Sequence, residues 1–528
     1  MQSKRKGRLT MKKRLFALLM AATMAVSMVG CAPKANDQAG NASGEFGIFD
    51  EPTTISIMVP QSNELFRNDW KVWEYMREAT GADLDMQVNV TDSAAKIAIA
   101  FASKEAMPDF VAFDAKSSID DYAVQGALVA IDDWEDQMPN WQAFWAKVDP
   151  AEKEKIFNIR RSADGKMYYP ARYGADAATG LKTWLYREDI FEKHGLEVPT
   201  TYDELYEVAK KLKELYPNSY PILCENFYAH VGKTLGPAWK ENFEYSEYYD
   251  YATGEWRYGA VEDTMLEIVK TFKRFYEEGL INPNFVSTPT REFSELVTTD
   301  RAFMFPCFFN RLSMYMNTMV GINDEFDLSP MNPPVANAQA GVAKIISYNF
   351  DNMGLVMPNH GDKDRTAKAI KFLDWLYSDE AIELVSWGKE GETYEVVDGK
   401  KKFILGEGED IGNKYGFQTY GAGQAFDRAA VIEKALDNMT EDELNMIIDN
   451  VDSELNPRSW LSLTNEEKNV AATIGTDIQV YVQEITSKFM LGQLPLSEWD
   501  SYVKTIEEMG LEELLAVYET AYNRSVGK

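Results

Sequence analysis

The sequence predicts an α/β protein that ends in a helical C-terminal portion. Between residues 53 and 113, short runs of β-branched and apolar residues alternate with segments of helical spacing. From about residue 425 to the end, almost only helical patterns follow one another. The alternation in the first part favours a largely parallel sheet with helices on both of its faces.

The opening elements follow from composition and turn signals. A β-branched run over 53–59 is followed by turn residues and therefore predicts a strand. A helix is expected from about Asn68 until Gly81 stops it, because tryptophans recur at helical spacing between them. The next predicted elements, in order, are a strand over 84–90, a helix over 94–102 and a strand over 110–113.

Three later helices begin at capping boxes, in which a threonine precedes a glutamate by three residues and each side chain caps the other's backbone N–H. The three pairs are Thr201 with Glu204, Thr440 with Glu443, and Thr464 with Glu467. Behind the first box, one apolar helix face is predicted from Leu205, Val208, Leu212 and Leu215.

Chain length and charge limit the class of protein. A chain of 528 residues exceeds what one hydrophobic core usually organises, so two or more domains are expected. The formal net charge is −30, and the segment before Cys31 contributes seven basic residues and no acidic one, so the rest is more acidic still. This charge repels phosphates and anionic headgroups, which argues against binding to nucleic acid or to a membrane surface.

Residues 1–30 have the composition of an export signal. A basic stretch is followed by an apolar run over 15–30, which is short for a membrane span. The run ends in the sequence MVGC, which resembles a bacterial lipobox whose cysteine, here Cys31, is acylated and becomes the N-terminus. Residues 31–50 contain little to bury and are expected to form a flexible tether. An uncleaved membrane anchor is the alternative and would leave the body on the same outer face.

The remaining two cysteines predict no redox function. Cys224 and Cys307 are expected to be buried free thiols, because a large protein with its own core does not depend on a disulfide. A disulfide between them in an oxidising compartment is the alternative.

Catalytic signatures are missing from the sequence. The three histidines form neither HExxH nor a paired Cys-His pattern, and the chain contains no GxSxG, GxxxxGK[ST] or GxGxxG motif in the required position. We therefore expect no enzyme, no metal ion and no cofactor. A lipid-tethered carbohydrate-active enzyme is the alternative function, because 84 acidic residues make some pair of carboxylates inevitable.

Several segments, in this order, resemble elements of one protein family: 101–109 (FASKEAMPD), 122–129 (YAVQGALV), 164–168 (DGKMY), 186–189 (YRED), 195–201 (GLEVPTT), 278–281 (EGLI), 375–377 (WLY) and 387–394 (WGKEGETY). The family is that of the extracellular solute-binding proteins of ATP-driven sugar importers, in its Gram-positive lipoprotein branch. The resemblance extends over nearly all of residues 53–525.

The resemblance implies a two-lobed, periplasmic-binding-protein-like fold of type II, whose lobes are joined by crossing hinge strands and close on a ligand held between them. It assigns residues 51–176 and 305–347 to lobe 1, and residues 177–304 and 348–528 to lobe 2. The implied protein is a monomer, lipid-anchored at Cys31 on the extracellular face, that delivers a carbohydrate, in the first place an oligosaccharide, to the permease subunits of an ABC transporter. Polyols and peptides are alternative ligands, and a membrane kinase is an alternative partner.

Sugars present flat apolar faces and a rim of hydroxyls, so their sites combine aromatic rings with carboxylates, amides and guanidinium groups. The resemblance places the following residues at the ligand: Gln61, Asn63, Asp114, Lys116, Arg172, Tyr173, Trp184, Glu225, Asn226, Tyr228, Phe309, Asn310, Arg311, Trp387 and Glu390. The alternatives are an ordinary loop for the first four, a core position for Trp184, and support of a turn for Trp387 and Glu390.

Overall fold

A computed structural model gives the structure of the chain. It describes residues 46–60, 66–90, 96–97, 107–113, 116–162, 164–174, 182–230, 234–309, 311–339, 341–342, 345–346, 354–406, 409–418, 423–436, 439–449, 451–452, 458 and 461–526. The described strands are β1 Thr54–Pro60, β2 Asp83–Val90, β3 Phe110–Phe113, β4 Lys182–Arg187, β5 Glu247–Asp250, β6 Glu255–Tyr258, β7 Met304–Phe308, β8 Leu328–Met331, β9 Ile345–Ile346, β10 Gly354–Val356, β11 Tyr394–Val397, β12 Lys400–Phe403 and β13 Val451–Asp452.

The described α-helices follow the same chain order. They are α1 Lys71–Thr80, α2 Lys116–Val124, α3 Pro139–Trp145, α4 Pro150–Arg160, α5 Glu188–His194, α6 Tyr202–Leu215, α7 Phe227–His230, α8 Asp263–Glu277, α9 Thr290–Thr298, α10 Arg311–Met319, α11 Lys363–Trp375, α12 Asp379–Ser386, α13 Ile411–Tyr415, α14 Arg428–Ala435, α15 Glu441–Asp449, α16 Asn465–Val470, α17 Thr476–Met490, α18 Trp499–Glu508 and α19 Leu511–Ser525. A π-helical turn, Ala471–Gly475, joins α16 to α17.

The opening elements confirm the predicted order of β1, α1, β2 and β3. Gly81 ends α1 with a φ of 69°, a left-handed conformation that glycine adopts without strain. The helix begins at Lys71 rather than near Asn68, because Trp70 still has extended backbone angles. The helix predicted over 94–102 lies outside the described residues except for 96–97.

The first sheet has the strand order β10-β3-β1-β2, and β1 runs parallel to both β2 and β3. Both faces of this sheet are covered. Ile57 on one face belongs to a large apolar cluster, whereas Met58 on the other face belongs to a smaller one. This sheet therefore has the largely parallel, two-sided packing that the alternation of elements predicted.

The second sheet has the order β7-β4-β8, and both outer strands run antiparallel to β4. The prediction of a largely parallel sheet was drawn from residues 53–113 and does not extend to this sheet, in which β4 takes its partners from chain segments far along the sequence. Neighbouring side chains of β4 face opposite ways, so Leu185 packs into the cluster that holds the first sheet and Trp184 packs into a separate core.

Strand pairing also differs from the predicted lobe boundaries. Residues 305–347 were assigned together with the first sheet, yet β7 and β8 pair with β4 in the second. Residues 348–528 were assigned together with the second sheet, yet β10 pairs with β3 in the first, and α11 packs Phe372 against Phe110. The lobe boundaries remain a prediction, and the hydrogen-bonded register favours exchanging these two assignments.

The C-terminal helices complete the second core, as the helical pattern predicted. Ile478, Val482 and Phe489 of α17 are fully buried there, and the Tyr502 hydroxyl of α18 donates to the carbonyl of Ala260 at 3.1 Å. The capping boxes at Thr201 and Thr464 are both present, and Thr440 exchanges the same hydrogen bonds with Glu443.

The predicted apolar face of α6 is confirmed for three of its four residues. Leu205, Val208 and Leu212 are buried, whereas Leu215 is 47% exposed. Leu215 is the last residue of the helix, where the chain already leaves the core.

The body begins earlier than the predicted boundary at residue 51. Phe49 is buried in the large cluster, and the Ile48 backbone N–H donates to the carbonyl of Thr80 at 3.0 Å. Gly47 permits this approach, because a Cβ at its position would collide with the carbonyl of Thr80. The predicted export signal, Cys31 and residues 31–45 of the predicted tether lie outside the described residues. Within the described part of the chain, no helix combines the length and the apolar composition needed to cross a membrane.

Candidate functional site

Three chain segments meet at one edge of the second sheet, the edge at which β7 ends. β4 begins there with Lys182, which lies opposite Phe308, the last residue of β7. The segment that contains Ile222 runs parallel to β7, so Glu225 comes out at the same edge. This edge therefore brings together side chains that are far apart in the sequence.

Arg311 and Glu225 form an ion pair at this edge. The Arg311 guanidinium, at the start of α10, donates to both carboxylate oxygens of Glu225, at 2.7 and 3.2 Å. Both side chains are largely buried, with 16% and 15% of their surfaces exposed. Burial alone lowers the pKa of Arg311, but the hydrogen bond and the charge of Glu225 outweigh it and raise the pKa, so the guanidinium stays charged. The resemblance selected both residues, and the structure joins them directly.

Lys182 lies beside this pair with its ammonium group buried. Its Nζ donates to the carbonyl of Ala229 at 2.9 Å and lies 4.7 Å from the centre of the Phe308 ring. Burial lowers the pKa of Lys182 to about 8, and the charge of Arg311 acts in the same direction, while Cys224 and Glu225 oppose it. The ammonium group is therefore held by a carbonyl and an aromatic face.

His230, at the end of α7, is buried near the charged groups of Lys182 and Arg311. Burial lowers the pKa of its imidazole well below the usual value, and the charges of Lys182 and Arg311 lower it further. The Nδ1 atom lies 3.3 Å from the Thr234 hydroxyl. This histidine is therefore neutral near pH 7.

An open groove of about 620 Å³ adjoins the edge at which Lys182, Glu225 and Arg311 lie. One wall is formed by the start of α7 and the other by α17. Its lining residues are Asn226, Tyr228, Ala229, Tyr245, Val286, Ser287, Val480, Gln483, Glu484 and Ser487. The set combines two aromatic rings with amide, hydroxyl and carboxylate groups, which are the groups that sugar sites use.

Hydrogen bonds fix the two tyrosines of the groove to α17. The Tyr228 hydroxyl donates to the backbone carbonyl of Gln483 at 2.7 Å and lies 2.7 Å from the Thr486 hydroxyl. The Tyr245 hydroxyl accepts from the side-chain amide of Gln483 at 3.3 Å. The centres of the two rings lie 5.6 Å apart, and both side chains are largely buried, with 8% and 9% of their surfaces exposed.

The structure brings together only part of the predicted site. Glu225, Asn226, Tyr228 and Arg311 meet at the edge described above. Gln61, Asn63, Asp114 and Asn310 lie outside the described residues, and so does the side chain of Lys116, the first residue of α2. Their roles stay predictions.

Arg172 and Tyr173 lie in the chain segment that crosses from the first sheet towards β4. The Tyr173 backbone pairs with the chain around Ala425, and its N–H donates to the carbonyl of Gln424 at 2.9 Å. Arg172 is buried, with its guanidinium 5.3 Å from the centre of the Phe426 ring. Contacts with ligand remain a prediction for this pair.

Trp184, Trp387 and Phe309 are buried, with 1%, 2% and 4% of their surfaces exposed. For Trp184 the structure shows the core position that was the alternative. Trp387 donates from Nε1 to Asp427 at 2.7 Å, and its ring stacks on Phe403, so it supports a turn. Glu390 is exposed in that same turn, outside the edge of the second sheet.

Sequence reasoning missed several residues at the edge and in the groove. Lys182 carries a weak signal, since it is a charged residue at the beginning of an apolar strand. Phe308, which is 37% exposed, faces the edge where Phe309 had been selected. Tyr245 and Gln483 carry no local signal at all, because only the packing of α17 on the second core brings them there.

No group of three or more histidine, cysteine, aspartate or glutamate side chains that could hold a metal ion occurs among the described residues. The edge and the groove are therefore described by their hydrogen-bonding, charged and aromatic groups alone.

Comparisons with known proteins agree on one class of protein. The sequence profile described as bacterial extracellular solute-binding protein matches residues 60–383. A Bacillus subtilis (strain 168) protein named polygalacturonan/rhamnogalacturonan-binding protein YtcQ is 23% identical over 399 residues, which cover 70% of this chain and 73% of that protein.

Solved structures match over most of the chain. The alginate-binding protein AlgQ2, solved without calcium ion, has a TM-score of 0.71 and 20% sequence identity and covers 91% of this chain and 99% of its own. The S. pneumoniae ABC-transporter substrate-binding protein FusA in complex with kestose has a TM-score of 0.68 and 18% identity, covering 90% of this chain and 100% of its own. The two-lobed, periplasmic-binding-protein-like α/β fold with a helical C-terminal portion is thereby confirmed.

Proposed function

Because this chain belongs to the bacterial extracellular solute-binding proteins, we propose that it captures an oligosaccharide outside the cell and hands it, chemically unchanged, to an ABC importer. In this proposal the ligand lies against the edge of the second sheet. The two lobes close around it, and the closed form is what the permease subunits recognise.

The observation that carries the proposal is the chemistry of the site. A bidentate Arg311–Glu225 pair offers a fixed pattern of donors and acceptors, while Asn226 adds an amide next to it. Phe308, which is 37% exposed, offers aromatic surface beside these polar groups. A ring with one apolar face and a rim of hydroxyls fits this combination.

The ligands of related proteins support a carbohydrate. The names of the relatives refer to polygalacturonan and rhamnogalacturonan, to alginate and to kestose, all of them carbohydrates. The identities are at most 23%, so the class of ligand is supported and the particular sugar is left to experiment.

The place of action follows from the family and from the first residues of the chain. We propose that residues 1–30 direct export, that Cys31 carries the lipid anchor, and that the residues after it tether the body to the outer face of the membrane. The acidic body is then repelled by anionic headgroups and stays in solution near the permease.

We propose that the protein is not an enzyme. A glycoside hydrolase needs two carboxyl groups about 5–10 Å apart, one of which acts as an acid. Glu225 is instead bound by Arg311 through both of its oxygens, so both are already engaged by a largely buried cation.

The proposal is tested by thermal unfolding of the purified protein with oligogalacturonides, fructo-oligosaccharides, monosaccharides, polyols and peptides, followed by mass spectrometry of each mixture. We expect one carbohydrate class to raise the midpoint and to be recovered intact, since ligand at 100 times its dissociation constant adds about 2.7 kcal/mol. Arg311→Ala should abolish the shift, whereas Lys504→Ala, on an exposed face of α18, should retain it. A shift with peptides alone, or cleavage of a glycan, would overturn the proposal.

A further inference from the structure

We propose that the groove along α17 is a second contact surface for the same ligand, and that it binds a neutral, hydroxyl-rich segment of an oligosaccharide. This inference rests on the proposed function and deepens it, because it makes the C-terminal helices part of the binding site. It also sets a requirement on the ligand, which must be long enough to extend from the edge of the second sheet into the groove.

The groove and the edge are continuous through α7 and the residues before it. Ala229 lines the groove, and its carbonyl accepts the hydrogen bond from Lys182 at the edge. Asn226 also lines the groove and directly follows Glu225, which is paired with Arg311. A ligand that contacts the ion pair can therefore extend into the groove without leaving the protein surface.

The lining of the groove selects the chemistry of the segment. Among the described residues that line the groove, only Glu484 carries a charge. Its carboxylate forms an ion pair with Lys488. The other polar groups are uncharged amides and hydroxyls, including Gln483 and Ser287. An anionic group would meet no cation here, whereas sugar hydroxyls would find both donors and acceptors.

The two tyrosines of the groove hold its wall in place. Tyr228 and Tyr245 are only 8% and 9% exposed, and both are bound to α17 through their hydroxyls, so they position the polar groups of that helix. Because these bonds already fix α17 to the rest of the core, little freedom is lost when a ligand arrives.

The dimensions of the groove point to more than a single sugar ring. Its volume of about 620 Å³ lies in the middle of the range of roughly 300–1,000 Å³ that sites for small molecules span. The ion pair at the edge lies outside this volume, since neither Glu225 nor Arg311 lines the groove. A ligand that uses both places is therefore an oligosaccharide, and each unit placed in the groove should strengthen its binding.

The test fills the groove and measures how affinity depends on ligand length. Val480 is 59% exposed and Ser287 is also exposed, so Val480→Trp and Ser287→Trp should fold while they obstruct the groove. Val396→Trp is the matched control, because Val396 is an equally exposed valine of β11, outside the groove. The probes are fructo-oligosaccharides of two to six units, which are neutral, and oligogalacturonides of the same lengths, in which every unit carries a carboxylate; both series are titrated by calorimetry.

We expect the wild type and Val396→Trp to bind long fructo-oligosaccharides more tightly than short ones. A gain of affinity with length among the oligogalacturonides that Val480→Trp and Ser287→Trp abolish would overturn the inference of a neutral segment. In Val480→Trp and Ser287→Trp, the long members should bind about tenfold more weakly, a change of ~1.4 kcal/mol, while the shortest binding member keeps its affinity. If these two variants bind every length like the wild type, the inference fails and the proposed function stands. If the wild type binds no member of either series, the inference and the proposal that these sugars are its ligands fail together.

Discussion

Lys182 brings an ammonium group to the first position of β4, beside the Glu225–Arg311 ion pair and near Cys224, Cys307 and His230, which carry no charge at neutral pH. Burial raises the pKa of Cys224 and of Cys307 to about 12, so both thiols stay protonated, and His230 is neutral for the reason given above. Both cysteines are free and buried, which confirms the expectation from the sequence. The ammonium group therefore depends on the Ala229 carbonyl and on the charge of Glu225.

The lowered pKa of Lys182 predicts a rise of stability with pH. A lysine whose pKa falls on folding, here from 10.5 to about 8, holds its proton less tightly in the folded state, so the free energy of unfolding increases as the pH passes from about 8 to 10.5. Relative to Lys182→Met, the wild type should gain up to about 3 kcal/mol over that interval. Urea unfolding of both proteins near pH 7 and near pH 10 measures the difference, and an unchanged difference would contradict the buried-ammonium account.

The Glu225–Arg311 pair predicts a large effect of removing one partner. Arg311→Ala leaves a largely buried carboxylate without its cation and should lower the free energy of unfolding by about 2–3 kcal/mol. The double variant Glu225→Gln with Arg311→Met should recover most of this loss, because it leaves no unpaired charge.

A surface pair serves as the control for this prediction. Lys504 and Glu508 are exposed by 72% and 66%, so Lys504→Ala should change the free energy of unfolding by less than about 0.5 kcal/mol in the same urea titrations. Equal losses for Arg311→Ala and Lys504→Ala would mean that the pair at the edge is no better protected from water than a surface pair.

The site residues show where sequence reasoning ends. The resemblance selected Glu225 and Arg311, which lie 86 positions apart, and the structure pairs them. It selected Phe309, which is 4% exposed and whose contact with ligand stays a prediction, whereas the 37% exposed ring of the preceding residue, Phe308, faces the edge. Tyr245 could not be selected, because its place depends on how α17 packs and not on its neighbours in sequence.

At the scale of elements, the crossing segment after Tyr173 is held by backbone contact. The Phe426 N–H donates to the Tyr173 carbonyl at 3.0 Å, and Gly174 follows with a φ of 85°. A Cβ at Gly174 would collide with the backbone oxygen of Phe426. Glycine is therefore needed here both for its backbone angles and for the close approach of the two chain segments.

This contact predicts that Gly174→Ala is more damaging than an ordinary glycine substitution. Gly195 also has a positive φ, of 62°, but nothing lies within 4 Å of the Cβ that alanine would add. Gly195→Ala should lower the free energy of unfolding by about 1–2 kcal/mol through backbone strain alone, and Gly174→Ala by clearly more. Chemical denaturation of the two variants measures both losses. Equal decreases in the free energy of unfolding would show that the backbone near Phe426 shifts to accommodate the added methyl group at little cost.

The sequence predicted the helices and strands that depend on local signals, but it did not predict which strands pair in the second sheet. β1, β2 and β3 follow from β-branched runs, and α6 and α16 follow from their capping boxes. The partners of β4 are more than 100 residues away, and the apolar composition of β7 and β8 would fit either sheet. The predicted lobe boundaries differ from the strand pairing for this reason.

At the scale of the whole molecule, two sheets are connected by several crossings of one chain, and one face of the second sheet packs into the same apolar cluster as the first. The first sheet includes β10, and the second sheet takes α17, α18 and α19 into its core. A chain that crosses more than once restrains relative motion to a hinge and thus suits closure around a ligand.

Closure predicts a change of size on binding. Small-angle X-ray scattering should give a smaller radius of gyration once the binding oligosaccharide is added, because the closed form excludes solvent from the space between the lobes. Arg311→Ala should show no decrease at the same sugar concentration. A radius that stays constant while the wild type is saturated would argue for a site that binds without closing.

The central claim is that the protein binds an oligosaccharide and returns it unchanged. Equilibrium dialysis of oligogalacturonides and fructo-oligosaccharides against the purified protein, with mass spectrometry of both compartments, tests binding and turnover together. Intact sugar of one series should accumulate on the protein side, up to one molecule per chain. Equal concentrations in both compartments for every sugar, or the appearance of shorter fragments, would contradict it.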